Sequence, residues 1–300
     1  MKASHGLVPS FGVTHVDHTL DFVTPIGATM SDTALLLEVI AGPDWRDPQW
    51  VRGEVACGQY ADAGDEGVGG LRIGVVAESH GDFCDPAVRE GLARAVAALQ
   101  AAGAFVEDVS VPIWAHALRI FQPYVGILFA AMVRSEGEGF GHLGFVDVER
   151  MHAFAVARRA ESRELAPQVK CWLIAARHLH ERYMNVPYGR LQNLRLEVRR
   201  GISAALDRYD LLLTPTLPST APRLLEGPAT VDQLVNRTAA LLCLNTAPLN
   251  LSGHPGLSVP SGADENGLPT AVQVVGRHFD ERNAFRAGFA LEESLGPFLP

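Results

Sequence analysis

The stretch from Leu71 to Val111 limits the fold more than any other part of this chain. Leu71–Val76 (LRIGVV) is a short apolar run with the character of a buried strand, entered from the glycine-rich turn Gly64–Gly70. Asp85-Pro86 then places a capping residue type before a proline, the arrangement that opens a helix. Val88, Leu92, Val96 and Leu99 recur at helical spacing, Gly103 closes the helix, and Phe105–Val111 reads as a second strand. A strand–helix–strand unit of this length pairs its strands in parallel through a crossover, so the chain is expected to hold an α/β sheet. The strands expected at 257–260 and 270–275 should lie beside this unit.

The remainder fits that class. Residues 1–28 read as turns and short strands wrapped around another part of the protein. Thr29–Ala41 reads as a helix capped by Thr29, with Leu35, Leu36, Val39 and Ile40 as its apolar stripe and Gly42-Pro43 as its stop. From about Ala115 to Tyr209 the pattern is mostly helical, broken by Pro167, Pro187 and Gly189. Asp210–Pro218 (DLLLTPTLP) reads as a buried strand running into a loop, and Thr230–Leu244 as a helix. Leu257–Pro260 and Ala271–Val275 read as strands joined by a Gly/Asp/Asn-rich turn, and a last capped helix runs from Asp280 to about Leu295. The expected fold is a mixed central sheet flanked by helices, with a helical insertion in the middle and one domain over residues 1–300.

Composition narrows the function. A net charge of −9 with no run of Lys or Arg argues against a nucleic-acid partner. Arg195, Arg199 and Arg200, with Glu197 among them, read as a solvated helix face. The four cysteines, Cys57, Cys84, Cys171 and Cys243, form no C-x-x-C pair, which points to a reducing compartment and a cytoplasmic protein without structural zinc. The N-terminus lacks a signal-peptide pattern, and the best apolar stretch, Val125–Val133, is too short to span a membrane.

Side-chain chemistry read from the residues alone supports no mechanism. The chain has no G-x-S-x-G, S-x-x-K, H-E-x-x-H or P-loop pattern, and Gly67–Gly70 precedes its strand rather than following one. His178 and His180 lie two apart on a helix and so face different ways, which disfavours a shared metal. His254 in Gly253-His254-Pro255-Gly256 sits on a tight turn and is expected to shape it. His15 and His18 could line a pocket, but no carboxylate stands at a useful spacing. No serine has a Lys or His at a spacing that suggests a nucleophile. No catalytic, cofactor-binding or metal residues are therefore assigned.

Five pieces, in order, resemble the amidase signature family. Lys2–Pro9 resembles its K-P-T-x-G-x-V-P stretch. Asp21–Ile26 with the helix to Gly42, followed by Asp44 and Asp47-Pro48, resembles D-x-V-G-P-M-A-R-T-V-x-D-A-A-L-L-L and D-x-x-D-P. Asp210–Pro218, Gly253–Pro260, and Gly267–Pro269 with Gln273, Gly276, Phe279 and Glu281 resemble three later motifs. The His254 turn and Gly276–Asp280 look most like bacterial amidases of broad amide specificity. The chain departs from the pattern at Thr24, Ala28 and Ala271, where the family has Gly, Arg and Gly.

The resemblance implies hydrolysis of carboxylic amides by a serine, a second serine and a lysine, with backbone N–H groups as the oxyanion hole. Those residues belong to a Gly/Ser-rich signature that precedes the stretch matching Met1. The expectation is a C-terminal portion of an amidase that lacks the triad and needs no cofactor. Its expected partners are a small-molecule amide substrate if completed, an N-terminal-half chain, or a second copy in a homodimer. The alternatives are an inert binding scaffold and one half of a two-chain amidase. Alone, such a portion is expected to aggregate, because its sheet would keep an unpaired edge.

Overall fold

Leu71 to Val111 folds as its pattern requires. In the computed structural model, which describes residues 1–47, 58–139, 145–224, 243–296 and the single positions 227, 230 and 233, β1 (Arg72–Val76) and β2 (Phe105–Val109) run parallel. They flank helix α2 (Pro86–Ala101), which buries Val88, Leu92 and Leu99. Asp85 occupies the N-cap position of α2 without a side-chain cap bond. Its carboxylate instead accepts the backbone N–H of Thr220 at 3.3 Å, while its carbonyl closes the first turn.

The sheet order is β2-β1-β3-β5-β4, with β3 at Leu211–Pro215, β4 at Gly256–Ala263 and β5 at Pro269–Gly276. The expected neighbours of β1 therefore share its sheet but do not touch it. β3 inserts between them, parallel to β1 (Ile73 opposite Leu211) and antiparallel to β5 (Leu211 opposite Gly276). Every residue of β3 is buried. Alternation sends Leu211 and Leu213 to one face and Leu212 to the other, which suits a central strand covered on both sides. The β4–β5 turn is fixed by the Asp264 carboxylate, which accepts N–H bonds from Asn266 and Leu268 at 2.9 Å, and by Gly267 at φ 78°.

One face of the sheet carries α1 (Met30–Ile40), α2 and the C-terminal helix (Glu281–Leu295), whose Phe285 and Leu291 are fully buried. Thr29 caps α1 as expected, accepting the N–H of Asp32 at 3.0 Å. The stripe read from sequence is wrong, however. Met30, Thr33, Ala34 and Leu37 are buried, whereas Leu35, Leu36 and Val39 are exposed at 51%, 44% and 82%. Both sides of this helix are apolar, so the pattern does not say which one faces inward.

The opposite face carries the helical middle: α3 (Trp114–Arg134), α4 (Val148–Ala160), α5 (Pro167–Tyr183) and α6 (Val186–Leu206), with the short α7 (Ala247–Ser252) beneath. α3 is long and apolar enough to cross a membrane by length and composition, unlike the shorter run noted in the sequence. Here Trp114, Tyr124 and Leu128 bury it in the core. Pro167 and Pro187 open helices rather than break them, and Gly189 sits inside α6, where an exposed glycine costs only about 1 kcal/mol. Among described residues α4 buries no side chain and is held by Arg158–Glu136 and Arg150–Glu138 ion pairs. The expected helix at Thr230–Leu244, Cys57 and Pro48 fall largely or wholly outside the described residues.

Gly74 marks the tightest point of β1. A Cβ there would lie 2.6 Å from Val109 Cγ1 and 3.2 Å from Leu212 Cδ2 and the Tyr209 ring. Gly74→Ala is expected to cost about 1–3 kcal/mol through overpacking, read from urea unfolding. An unchanged midpoint would show that Val109 and Tyr209 can yield.

Candidate functional site

β4 is an edge strand whose outer side is closed only at its root. Lys2 and Gly256 exchange backbone bonds, Lys2 N to Gly256 O at 2.8 Å and Gly256 N to Lys2 O at 2.9 Å. Beyond that bridge no strand pairs with this edge among the described residues. Alternation puts the N–H and C=O of Ser258 on the same outer side as Gly256, and Pro260 supplies no N–H. Along this edge runs a cleft of about 860 Å³, walled by Asp21 and Phe22 of the N-terminal segment, Met30 and Thr33 of α1, and Asn250, Ser258 and Gln273.

Asn245 lies behind the cleft wall and supports Gln273, which lines it. Asn245 is fully buried, and its side chain accepts the Trp114 indole N–H at 3.0 Å and donates to the carbonyls of Ser79 and Pro215 at 2.9 Å each. Its own carbonyl accepts Gln273 Nε2 at 3.0 Å, which holds the Gln273 amide at the cleft wall. The network joins α3, the β3 end and β5. Reading the sequence did not single out Asn245, whose partners lie far away in the chain.

A second buried group sits behind the root of β4. The His254 and His278 rings lie 4.1 Å apart, and the Lys2 ammonium donates to the His254 carbonyl at 2.8 Å while resting 3.6 Å over the Phe22 ring. Burial pushes His254 down to about 2 and His278 to about 4, helped by nearby cations including Lys2 and Arg199. Lys2 is pushed down to about 7 by burial, against the pull of Glu281. Glu281, whose Oε1 accepts the Ser4 N–H at 2.7 Å, has its carboxyl raised by burial.

The fold also makes a pairing that spacing concealed. Ser203 Oγ lies 3.2 Å from His254 Nε2, the contact a nucleophile and its base would make. The chemistry does not follow. An imidazole held near 2 takes no proton at neutral pH, and the buried Nδ1 has no partner to orient the ring. The His254 side chain ties its turn to α6 through Ser203 rather than serving as a base.

The other histidines divide similarly. His15 and His18 stack with ring centroids 4.3 Å apart and line a cavity of about 150 Å³ that Asp47, Glu138 and Asp147 also line. Carboxylates distant in sequence are thus brought to them by the fold. His178 and His180 sit on α5, beside an exposed Arg177–Glu181 ion pair, and His180 Nδ1 lies 3.2 Å from Asn185 Oδ1. No group of three or more metal-ligating side chains occurs among the described residues. Thr24 and Ala271, where the resembled pattern has glycine, do not adopt positive φ, so neither is strained by its side chain.

Comparison with known proteins places this architecture. The Amidase family profile matches residues 1–284. A glutamyl-tRNA(Gln) amidotransferase subunit of Haloarcula marismortui is 35% identical over 97% of the chain, which covers 67% of that protein. The corresponding subunit of Thermosynechococcus vestitus is 31% identical over 98% of the chain and is covered to 59%. The Thermotoga maritima subunit of the same name, whose crystal structure is known, superposes over 97% of the chain with a TM-score of 0.72 at 28% identity, and is covered to 57%. A bacterial aryl acylamidase of the amidase signature family shares the fold, with a TM-score of 0.76 at 24% identity over 99% of the chain and 58% of its own length. The chain thus spans roughly three fifths to two thirds of these relatives, and it belongs to the amidase family.

Proposed function

We propose that this chain supplies the scaffold and pocket walls of a carboxylic-amide hydrolase whose nucleophile, base and oxyanion hole lie on a signature-bearing segment seated in the β4 cleft. The observation that carries the reading is the cleft itself, bordered by an open strand edge and rigid polar groups, with no competent nucleophile–base pair in the described residues beside it. In the completed unit a serine attacks the amide carbonyl, ammonia or an amine leaves, and water hydrolyses the acyl-enzyme to the carboxylate. The acyl oxygen becomes an oxyanion, stabilised by backbone N–H groups of the incoming segment. No cofactor enters this chemistry. The free thiols of Cys84, Cys171 and Cys243 support a reducing compartment, and we assign the protein to the cytoplasm.

A second reading rests on the names of its relatives: completed, the protein acts as the corresponding subunit of an amidotransferase. Assays separate the two, because simple aliphatic and aromatic amides are turned over under the first reading and amidotransferase activity appears only under the second.

Purified residues 1–300 are expected to hydrolyse such amides no faster than buffer. Supplying the portion of the Haloarcula protein that this chain does not cover should produce turnover, abolished by mutating the supplied serine. Turnover by residues 1–300 alone, lost on changing one of their own serines, would overturn the reading.

A further inference from the structure

α3, α5 and the start of α6 enclose a second cavity, of about 260 Å³, that shares no lining residue with the β4 cleft. Ala130, Ala131 and Arg134 turn one face of α3 toward it, and Ala176 and His180 do the same from α5 at helical spacing. Three alanines meet here, where larger side chains would close the gap in an otherwise packed helix layer. The walls are therefore mostly apolar, and the polar groups stand apart from the alanines. Arg134, the last residue of α3, makes no ion pair or hydrogen bond among the described residues. Acidic side chains that follow it or face it across the gap are already engaged: Glu136 by Arg158, Glu138 by Arg150, and Glu181, beside His180, by Arg177. Asn185 spends its Oδ1 on His180 Nδ1 at 3.2 Å, which leaves its Nδ2 as a second donor. The joint that brings Asn185 to the cavity is strained, because Met184, which also lines it, holds φ 55° and ψ −136°. Strain of this kind persists only where the surroundings impose it, and it gathers at ligand clamps.

We propose that this cavity binds a small monocarboxylate with an apolar body, an aryl or branched-alkyl acid, its carboxylate on Arg134 and its body against Ala130, Ala131 and Ala176. Charge selects the ligand. A guanidinium without a carboxylate of its own pairs with one in a planar, two-bond fork, and the apolar walls reward a body that water solvates poorly. Size limits it. The cavity falls just below the range of about 300–1,000 Å³ typical of drug-sized sites, which suits a ligand of one ring. The site stands apart from the β4 cleft and does not depend on the proposed function, and the acids that amide hydrolysis releases belong to the class it takes.

The whole site lies within this chain, so residues 1–300 suffice for the test. They are titrated by calorimetry with benzoate, 3-phenylpropionate and isovalerate, and with the three matching amides as uncharged counterparts. One-to-one binding of at least one acid is expected, at least tenfold tighter than its amide, with hydrogen exchange slowed in 130–135 and 184–188. Arg134→Gln should weaken that binding at least tenfold and leave the melting temperature unchanged, because Arg134 is exposed and supports no neighbour. Ala131→Leu should abolish binding by filling the cavity. If Ala131→Leu fails to fold, Arg134→Gln alone decides. Equal binding of acid and amide would overturn the proposal, as would saturable binding of none of the acids. Binding that Arg134→Gln leaves unchanged, with protection at 256–260 instead, would place the acid in the β4 cleft and overturn it as well. None of these results bears on the proposed function, which is tested by turnover.

Discussion

Asn245→Leu is expected to destabilise the protein by about 3–5 kcal/mol, a loss large enough to unfold a marginally stable domain. Leucine keeps the branching at Cγ, is somewhat larger, and removes an acceptor and two donors from a site with no solvent access. The Trp114 indole N–H and the carbonyls of Ser79 and Pro215 would be left buried without their amide partner, each at a cost of about 1–3 kcal/mol. Partial repair by neighbouring groups keeps the sum below the simple total. Urea unfolding followed by tryptophan fluorescence measures it directly, since Trp114 is itself a partner. A loss under about 1 kcal/mol would mean that the network is ornamental and that Gln273 needs no support from it.

Acid should unfold the protein through the His254–His278 stack. Both imidazoles have folded pKa values below the ordinary 6.5, so the unfolded chain binds protons first. Stability from this source is complete above about pH 6.5 and is lost as pH falls toward the folded values of about 4 for His278 and about 2 for His254. Each histidine contributes a slope of about 1.4 kcal/mol per pH unit in that window. Raised carboxyls act in the opposite sense, Glu281 beside the stack and Asp17 and Asp21 in the N-terminal segment, because folding favours their protonated forms. The comparison that isolates the histidine is His278→Phe, which keeps a ring against His254 and cannot titrate. Between pH 7 and pH 4 the wild type should lose about 3 kcal/mol more than this variant. The groups facing the stack, His5, Lys2 and Arg199, are cationic or become so in acid, and they steepen the loss. Parallel pH profiles for the two proteins would refute the assignment.

What can be read from sequence is local or already repeated within a family. The β1–α2–β2 unit follows from caps, periodicity and length, all within about forty residues. The order of the sheet does not, because no local signal says that β3 slips between β1 and β5. The Thr29 cap marks α1 as a helix, yet the pattern misplaces its inward side, since hydrophobicity fixes a face only when the opposite face is polar. The cleft is not legible in the sequence, because it forms only where the N-terminal segment, α1 and β4 come together in the fold. Nor is the network behind its wall, because an isolated Asn245 looks like any loop asparagine until Trp114, 131 residues away, arrives beside it. Ser203 and His254 likewise meet across 51 residues, and only the structure shows both the contact and the burial that disables it.

The insertion of β3 into the sheet sets an order of events during synthesis. β1 and β2 can pair once residue 109 is made, but the inner edge of β1 waits for its other neighbour until the whole helical middle has been translated. The contact between Arg72 and Asp210 that begins this second pairing closes a loop of 138 residues. Closing so long a loop is entropically costly and slow relative to the formation of helices and hairpins. Through that interval the apolar edge of β1 stands open to other chains, so the nascent protein is most exposed to misassociation before β3 emerges rather than after. Folding yield should therefore respond more to the speed of elongation through α3–α6 than to the stability of the finished sheet.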